Sequence, residues 1–430
     1  MAEIRAFRGY RYDLGRVGQL SNAVAPPYDV IDAALQQRLY DLSPFNAIRL
    51  ELTKDEPGDD ETENKYARAA RTLKEWIAED ALRQDTARAL YIYEQEFTVE
   101  GKSYTRRGFF ARVRLEPLAT GQVFAHEETM SGPKADRLRL YHATGFNLSP
   151  VFAFYPDPAG EVDRVLEPFT RKGTPLSATD HLGVVNRLWV VTDTQAISKV
   201  MGLMGPKPVF IADGHHRYET GLKYRDEQKG LDPDAPANFT LMLLVGASDP
   251  GLIIQPTHRL LSGLANVQTG QVEEAVKGHF HIVERFGGDA NACWEHIAMD
   301  GSQDVLGFGT AADGQWFAAK LRDPQVMASL APEHGTEWRG LGVSILHKLV
   351  IDKLIPEKLG GMPTLKFVHQ VKEAVDAIAA KACQVAVLTP PATMSQVQAI
   401  AGHREKMPQK STYFYPKILT GLVFNSLKKD

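Results

Sequence analysis

The stretch Val209-Phe210-Ile211-Ala212-Asp213-Gly214-His215-His216-Arg217-Tyr218-Glu219-Thr220 limits the folds open to this chain more than any other. Four apolar residues predict a buried strand. The Pro-free segment from Arg217 to Gln228, with Tyr218 and Leu222 four apart, predicts a helix. Asp213-Gly214 is then the turn between them. A strand-turn-helix of this kind aims backbone N–H groups and the positive end of the helix dipole at one point, where an anion can bind. His215, His216 and Arg217 crowd the same point. The plain alternative is that the imidazoles cap the helix and satisfy local carbonyls; three cationic groups on one turn favour an anion.

The rest of the chain is compatible with an α/β protein built around that turn. Its 430 residues suffice for two or three domains. A hydrophobic fraction of 43%, a charged fraction of 24% and a net charge of −4 are those of an ordinary globular chain, without the basic excess that would hold a phosphate polymer. Nucleic acid is therefore not the expected partner. The two cysteines, Cys293 and Cys383, have no metal-ligand spacing and are too few for a disulfide framework, so they read as core residues in a reducing cytoplasm. No apolar stretch approaches about 18 charge-free residues, and membrane spanning is not expected.

In chain order, Ala25-Pro-Pro-Tyr-Asp-Val-Ile31 precedes an expected helix from Asp32 to Leu42, with Asp32 as its cap, and an expected strand from Ala47 to Leu52. The polar run from Thr53 to Thr62 predicts an exposed loop, and a helix follows from Glu63 to about Glu79. Strands Ala89 to Thr98 and Ser103 to Leu115 predict a hairpin around Glu100-Gly101-Lys102. Val151 to Tyr155, Leu188 to Thr192 and Phe239 to Val245 read as strands, and Leu252 to Leu261 as a strand that delivers Thr257, His258 and Arg259 to its end. Beyond Gly263 helices and strands alternate with looser loops. We therefore expect a catalytic, nucleotide-binding region over residues 1–262. A C-terminal α/β domain over 263–430 follows, whose aromatic run after Lys410 returns to the first region's pocket.

Two chemistries fit the charged clusters. Phosphate binding draws on Gly214, His215, His216 and Arg217, with Lys134, Arg137, His258, Arg259 and Lys410 as further donors. A phosphoryl transfer also needs a divalent cation and a base. Asp29, Glu127, Asp213 and His216 are the candidate catalytic groups, and Glu127 and Glu128 the candidate Mg²⁺ ligands. The rival is metal-assisted phosphohydrolysis on His126, His215, His216 and His258 with Asp213. Neighbouring imidazoles diverge in regular structure, which weighs against it. A nucleotide-binding switch without catalysis would need the phosphate site alone.

Five ordered motifs carry a resemblance over nearly the whole chain: Ala25-Pro-Pro-Tyr-Asp-Val-Ile31, His126-Glu-Glu-Thr with Gly132-Pro-Lys-Ala-Asp-Arg137, Ile211-Ala-Asp-Gly-His-His-Arg-Tyr-Glu219, Pro256-Thr-His-Arg-Leu-Leu261 and Lys410-Ser-Thr-Tyr-Phe-Tyr-Pro-Lys417. Together they resemble a widespread prokaryotic family of unknown function. The Asp213–Arg217 segment further resembles the signature turn of the ParB and sulfiredoxin superfamily, whose members include nucleotidases and free serine kinases. That likeness implies a ParB/sulfiredoxin-like nucleotide-binding core, ATP or ADP with Mg²⁺ as cofactors, and transfer of phosphate to a small hydroxylated metabolite such as serine. No Cys sits at the turn, which disfavours sulfiredoxin chemistry, and no basic helix-turn-helix accompanies it, which disfavours a DNA clamp.

Overall fold

A computed structural model describes residues 2–428 of the chain. It is a mixed α/β structure in two compact units. Unit 1 comprises Met1–Ala125, Thr129–Leu252 and Pro416–Asp430, and unit 2 comprises His126–Glu128 and Ile253–Tyr415. The division runs ten residues before the expected one, and the last segment of the chain groups with unit 1.

Unit 1 is organised by a mixed sheet of nine described strands. Their order is Val123–Phe124, Val209–Asp213, Val151–Tyr155, Phe239–Gly246, Lys102–Arg114, Leu90–Val99, Val185–Val191 and Leu176–Thr179, with Ile4–Arg5 beside Lys102–Arg114. The expected hairpin is its centre. Glu100 and Gly101, at φ 49° and 76°, make the two-residue turn that twisted antiparallel strands require. Leu90, Ile92, Phe109, Ala111 and Val113 pack on one face with residues of the Glu161–Lys172, Thr194–Met204 and His215–Glu227 helices. The other face carries Tyr91, Tyr93, Gln95, Arg106, Phe110 and Arg112, and it too is buried.

That second face is covered by the C-terminal segment. Arg106 and Gln95 bond to the carbonyls of Pro416 and Lys417 at 2.5 and 3.1 Å, and Arg112 bonds to Asn425 and the Ser426 carbonyl at 2.6 and 3.0 Å. Ala25 and Thr420 exchange backbone hydrogen bonds at 3.0 and 2.8 Å. Polar side chains that would be costly to bury unpaired thus hold the C-terminal strap across the sheet.

Unit 2 contains an antiparallel sheet in the order Phe280–Gly287, Trp316–Leu321, Val305–Thr310, Val385–Leu388, His258–Ser262 and Thr364–Val368. The Ala290–Asp300 and Val371–Ala379 helices close a core on it that includes both cysteines. Burial pushes the thiols of Cys293 and Cys383 up to about 12 and about 11. Among the described residues no helix is long and apolar enough to cross a membrane.

Three expected elements change. Ala47–Leu52 is not a strand: Ile48–Glu51 forms a helical turn, started by the Asn46 side chain accepting from the Ile48 N–H at 3.0 Å. Four residues are too few for period to tell a strand from a turn. The run from Leu252 to Leu261 is broken at Pro256-Thr257 into Ile253–Gln255, paired with Tyr413–Tyr415, and His258–Ser262 in the larger sheet. His258 and Arg259 therefore open a strand instead of closing one. The helix after Gly214 begins at His215, two residues early.

The helix Ala33–Leu42 keeps its expected cap, with Asp32 accepting from the Leu35 N–H at 2.8 Å. Asp32→Ala should lower the free energy of unfolding by about 1 kcal/mol, read as a shifted urea midpoint at unchanged slope.

Candidate functional site

The Asp213–Arg217 turn closes on itself. The Val209–Asp213 strand carries a register shift between Ile211 and Asp213 against Val151–Tyr155, and such a bulge re-aims the side chain that follows it. Asp213 then accepts from Lys417 Nζ and Arg217 Nη2, each at 2.5 Å. Arg217 also donates to the Pro150 carbonyl, and its side chain is 3% exposed. Gly214 sits at φ 91°, and a Cβ there would meet the Arg217 guanidinium at 2.9 Å. Glycine is required at this place on both counts.

The electrostatics follow from that geometry. Burial pushes the Asp213 carboxyl up, but Lys417 and Arg217 more than offset it and hold the group far below the usual carboxylate range. Asp213 is thus a fixed anion that positions two cations, and a poor proton acceptor at neutral pH. The N-cap residue of the His215–Glu227 helix is Gly214, which has no side chain of its own to accept from the first N–H groups.

Around this turn unit 1 assembles other motifs. The Arg137 guanidinium bonds to the Glu51 carbonyl at 2.8 Å, to the Glu51 carboxylate at 3.2 Å and to Asp136 at 2.5 Å, and it lies 4.2 Å from the Tyr28 ring centroid. Burial disfavours the charged form of Arg217, and the carboxylates of Asp213, Asp29 and Glu51 more than offset it. Glu51 is 2% exposed, and burial, only partly countered by Arg137 and Arg217, raises its proton affinity. Asp29 is exposed and takes no hydrogen bond or ion pair from the described residues.

The remaining candidates divide by unit. His215 is buried, and His216 accepts the Met130 N–H on Nε2 at 2.9 Å. Lys134 pairs with Glu219 at 2.9 Å, and Glu219 also accepts from Thr129 at 2.6 Å. Glu127, Glu128, His258, Arg259 and Lys410 belong to unit 2. There Glu127 accepts from the Lys410 N–H at 3.3 Å, and Glu128 is exposed. Arg259, 1% exposed, is held by the carbonyls of Thr257, Gln409 and Lys410 and by His347, the last three at 3.2, 3.0 and 3.3 Å. It ties the 409–410 loop to its strand, an internal task that leaves little of the guanidinium for phosphate. His258 is fully buried, with Trp294 edge-on at 5.1 Å. Among the described residues no group of three or more His, Cys, Asp or Glu side chains could hold a metal ion.

Sequence reasoning passed over Glu51, Lys417 and Glu219. Lys417 closes a motif already singled out, so its place in that motif was the available signal. Glu51 lay in a segment read as a strand, and nothing in its neighbours marked it.

Residues 4–344 match a family described as a protein of unknown function, DUF1015, and the chain belongs to that family. A search of curated proteins returned no match. Among solved structures the chain is similar to a free serine kinase variant in complex with AMP, at 11% identity, 72% of this chain, 90% of that chain and a TM-score of 0.36. It is likewise similar to a conserved hypothetical protein from Pyrococcus furiosus at 13% identity, 72% and 93% coverage and TM-score 0.34. SbnI from Staphylococcus aureus, with a C-terminal truncation, gives 10% identity, 72% and 85% coverage and TM-score 0.34. Similarity at this level does not carry function.

Two consequences of the charge arrangement can be measured. Asp213→Asn leaves Arg217 and Lys417 without their shared anion and should cost on the order of 3 kcal/mol in urea unfolding. Adding Lys417→Met should restore part of it. In unit 2, burial and the neighbouring Arg259 push both His258 and His347 down to about 3, with His369 and Lys348 adding to the respective shifts. The folded values lie below the ordinary one, so this stability is complete above about pH 6.5 and is lost as pH falls. Each imidazole should contribute a loss of roughly 1.4 kcal/mol per pH unit between about pH 6 and 5. His347→Leu should halve the combined slope; an unchanged slope would place the acid sensitivity elsewhere.

Proposed function

Taking membership of this family as the premise, we propose that the chain is a nucleotide-dependent phosphotransferase acting on a small hydroxylated metabolite such as serine. The nucleotide phosphates meet the leading N–H groups of the His215–Glu227 helix. One observation carries the reading. The start of that helix directly follows Gly214, and Asp213, the residue before it, holds both Lys417 and Arg217, while Tyr28, next to Asp29, lies against Arg137, all within unit 1.

The division of labour follows from what each group is already doing. The backbone N–H groups of the helix start are the phosphate donors. Lys417 is the cation at the turn, and Asp213 fixes its position. Arg217, tied to Pro150 and Asp213, shapes the turn and supplies charge from behind it. Asp29 is the general base for the acceptor hydroxyl, being the exposed carboxylate of the group. It takes the proton as the hydroxyl oxygen attacks the terminal phosphorus, and the nucleoside diphosphate leaves with the former bridging oxygen. Mg²⁺ bound to the nucleotide would offset the charge of the phosphates.

Isothermal titration with ATP, ADP and CTP, with and without Mg²⁺, tests the binding. A coupled assay on a panel of hydroxy amino acids tests the transfer. Asp29→Asn should lower turnover by about 10²-fold or more while nucleotide affinity stays within about threefold. A variant with wild-type turnover removes Asp29 as the base. Tight nucleotide binding with no turnover on any acceptor would instead mark a switch.

A further inference from the structure

A cavity in unit 1, of about 260 Å³, lies against the two segments that carry Tyr28 and Lys417. Its apolar walls are Val24, Pro26, Leu39, Leu42 and Leu419. Pro26 is two residues from Tyr28, and Leu419 is two residues from Lys417. At no more than about 3.6 Å per residue, each segment can separate the cavity wall from the charged cluster by only about 7 Å. The cavity's polar groups include Asn22, Arg38 and His181. Neither the Asn22 carboxamide nor the Arg38 guanidinium makes a hydrogen bond or ion pair with a described residue. Leu42 is 47% exposed, and Leu182, next to His181, is 57% exposed, so the surroundings include unusually bare apolar surface.

We propose that this cavity is a nucleobase pocket, seating the base of the nucleotide whose phosphates meet the Gly214–Arg217 turn; it rests on the phosphate reading above. Aliphatic and proline walls suit the faces of a flat heteroaromatic ring. An open carboxamide, which offers a donor and an acceptor side by side, suits the edge of a base. The volume equals that of about nine waters at ~30 Å³ each, enough for a purine but not for a whole nucleotide. A small zwitterionic acceptor would be poorly matched to such walls, because its charges would be desolvated against aliphatic carbon. The larger groove of about 1160 Å³, lined by Asp55, Asp59, Asp60, Glu61, Arg71 and Lys74 among others, presents charge instead of a ring-sized apolar slot.

The experiment compares ATP with inorganic tripolyphosphate by isothermal titration, in Mg²⁺, on the wild-type chain and on Leu42→Trp and Asn22→Ala. Both sites lie at least partly in solvent, and a thermal melt of each variant confirms that it is folded. The wild type should bind ATP at least tenfold more tightly than tripolyphosphate. Each variant should lose most of that margin while its tripolyphosphate affinity stays within threefold. Equal wild-type affinities, or a margin intact in both variants, overturn the base pocket while the phosphate site stands. Binding of neither ligand to the wild type overturns the phosphate site and the pocket with it.

Discussion

The carboxylate of Asp213, shared between Arg217 and Lys417, is the interaction on which the Asp213–Arg217 turn depends. Removing a charge from water is costly, and a single buried pair often fails to recover that cost. Here one anion serves two cations from different parts of the chain, and the sum stays positive by one charge. Asp213 is placed by a bulge at the end of its strand, Arg217 by the first turn of the helix, and Lys417 by a strap that begins two hundred residues later in the sequence. Gly214 leaves the space for the guanidinium to fold back beneath the turn. The helix start thereby follows directly on a turn whose fixed charges sum to positive.

The strap carrying Lys417 stays in place because the central hairpin is not a simple two-layer element. Its strands are buried along most of their length, and the face away from the helices bears Gln95, Arg106 and Arg112. Each of these needs partners, and the strap's backbone carbonyls and Asn425 supply them. The demand of buried polar side chains for hydrogen bonds therefore fixes a C-terminal segment that has little regular structure of its own. Unit 2 applies the same rule with different residues: Arg259, which has no carboxylate partner among the described residues, is held by three carbonyls and an imidazole, and burial lowers it to about 9.

Much of the fold was legible because it rests on local signals. The hairpin was marked by alternating apolar runs around Glu100-Gly101, the Ala33–Leu42 helix by Asp32, and the strand Val151–Tyr155 by five consecutive apolar residues. The misread elements are those where local signals run out. Ile48–Glu51 is a single turn whose residues alternate as a strand's would, and only the Asn46 side chain settles its form. Pro256 was visible, but the assignment of its two flanking strands to different sheets depends on partners more than a hundred residues away.

The same boundary runs through the site. The sequence by itself determined that a strand-turn-helix exists between Val209 and Thr220, because strand, glycine and helix signals are adjacent and their geometry is nearly obligatory. It also marked the Tyr28-Asp29 loop and the segment ending at Lys417. Tertiary structure alone decided what each charge does. Arg217 and Arg259 read as phosphate ligands until their guanidinium groups were seen bonded to carbonyls. Glu51 was invisible until Arg137 was found beside it, and Lys417 became the cation of the turn only when the strap brought it to Asp213. The reason is physical: the propensity of a strand or helix is set by neighbours in sequence, whereas the role of a buried charge is set by whichever partners the fold brings within hydrogen-bond reach.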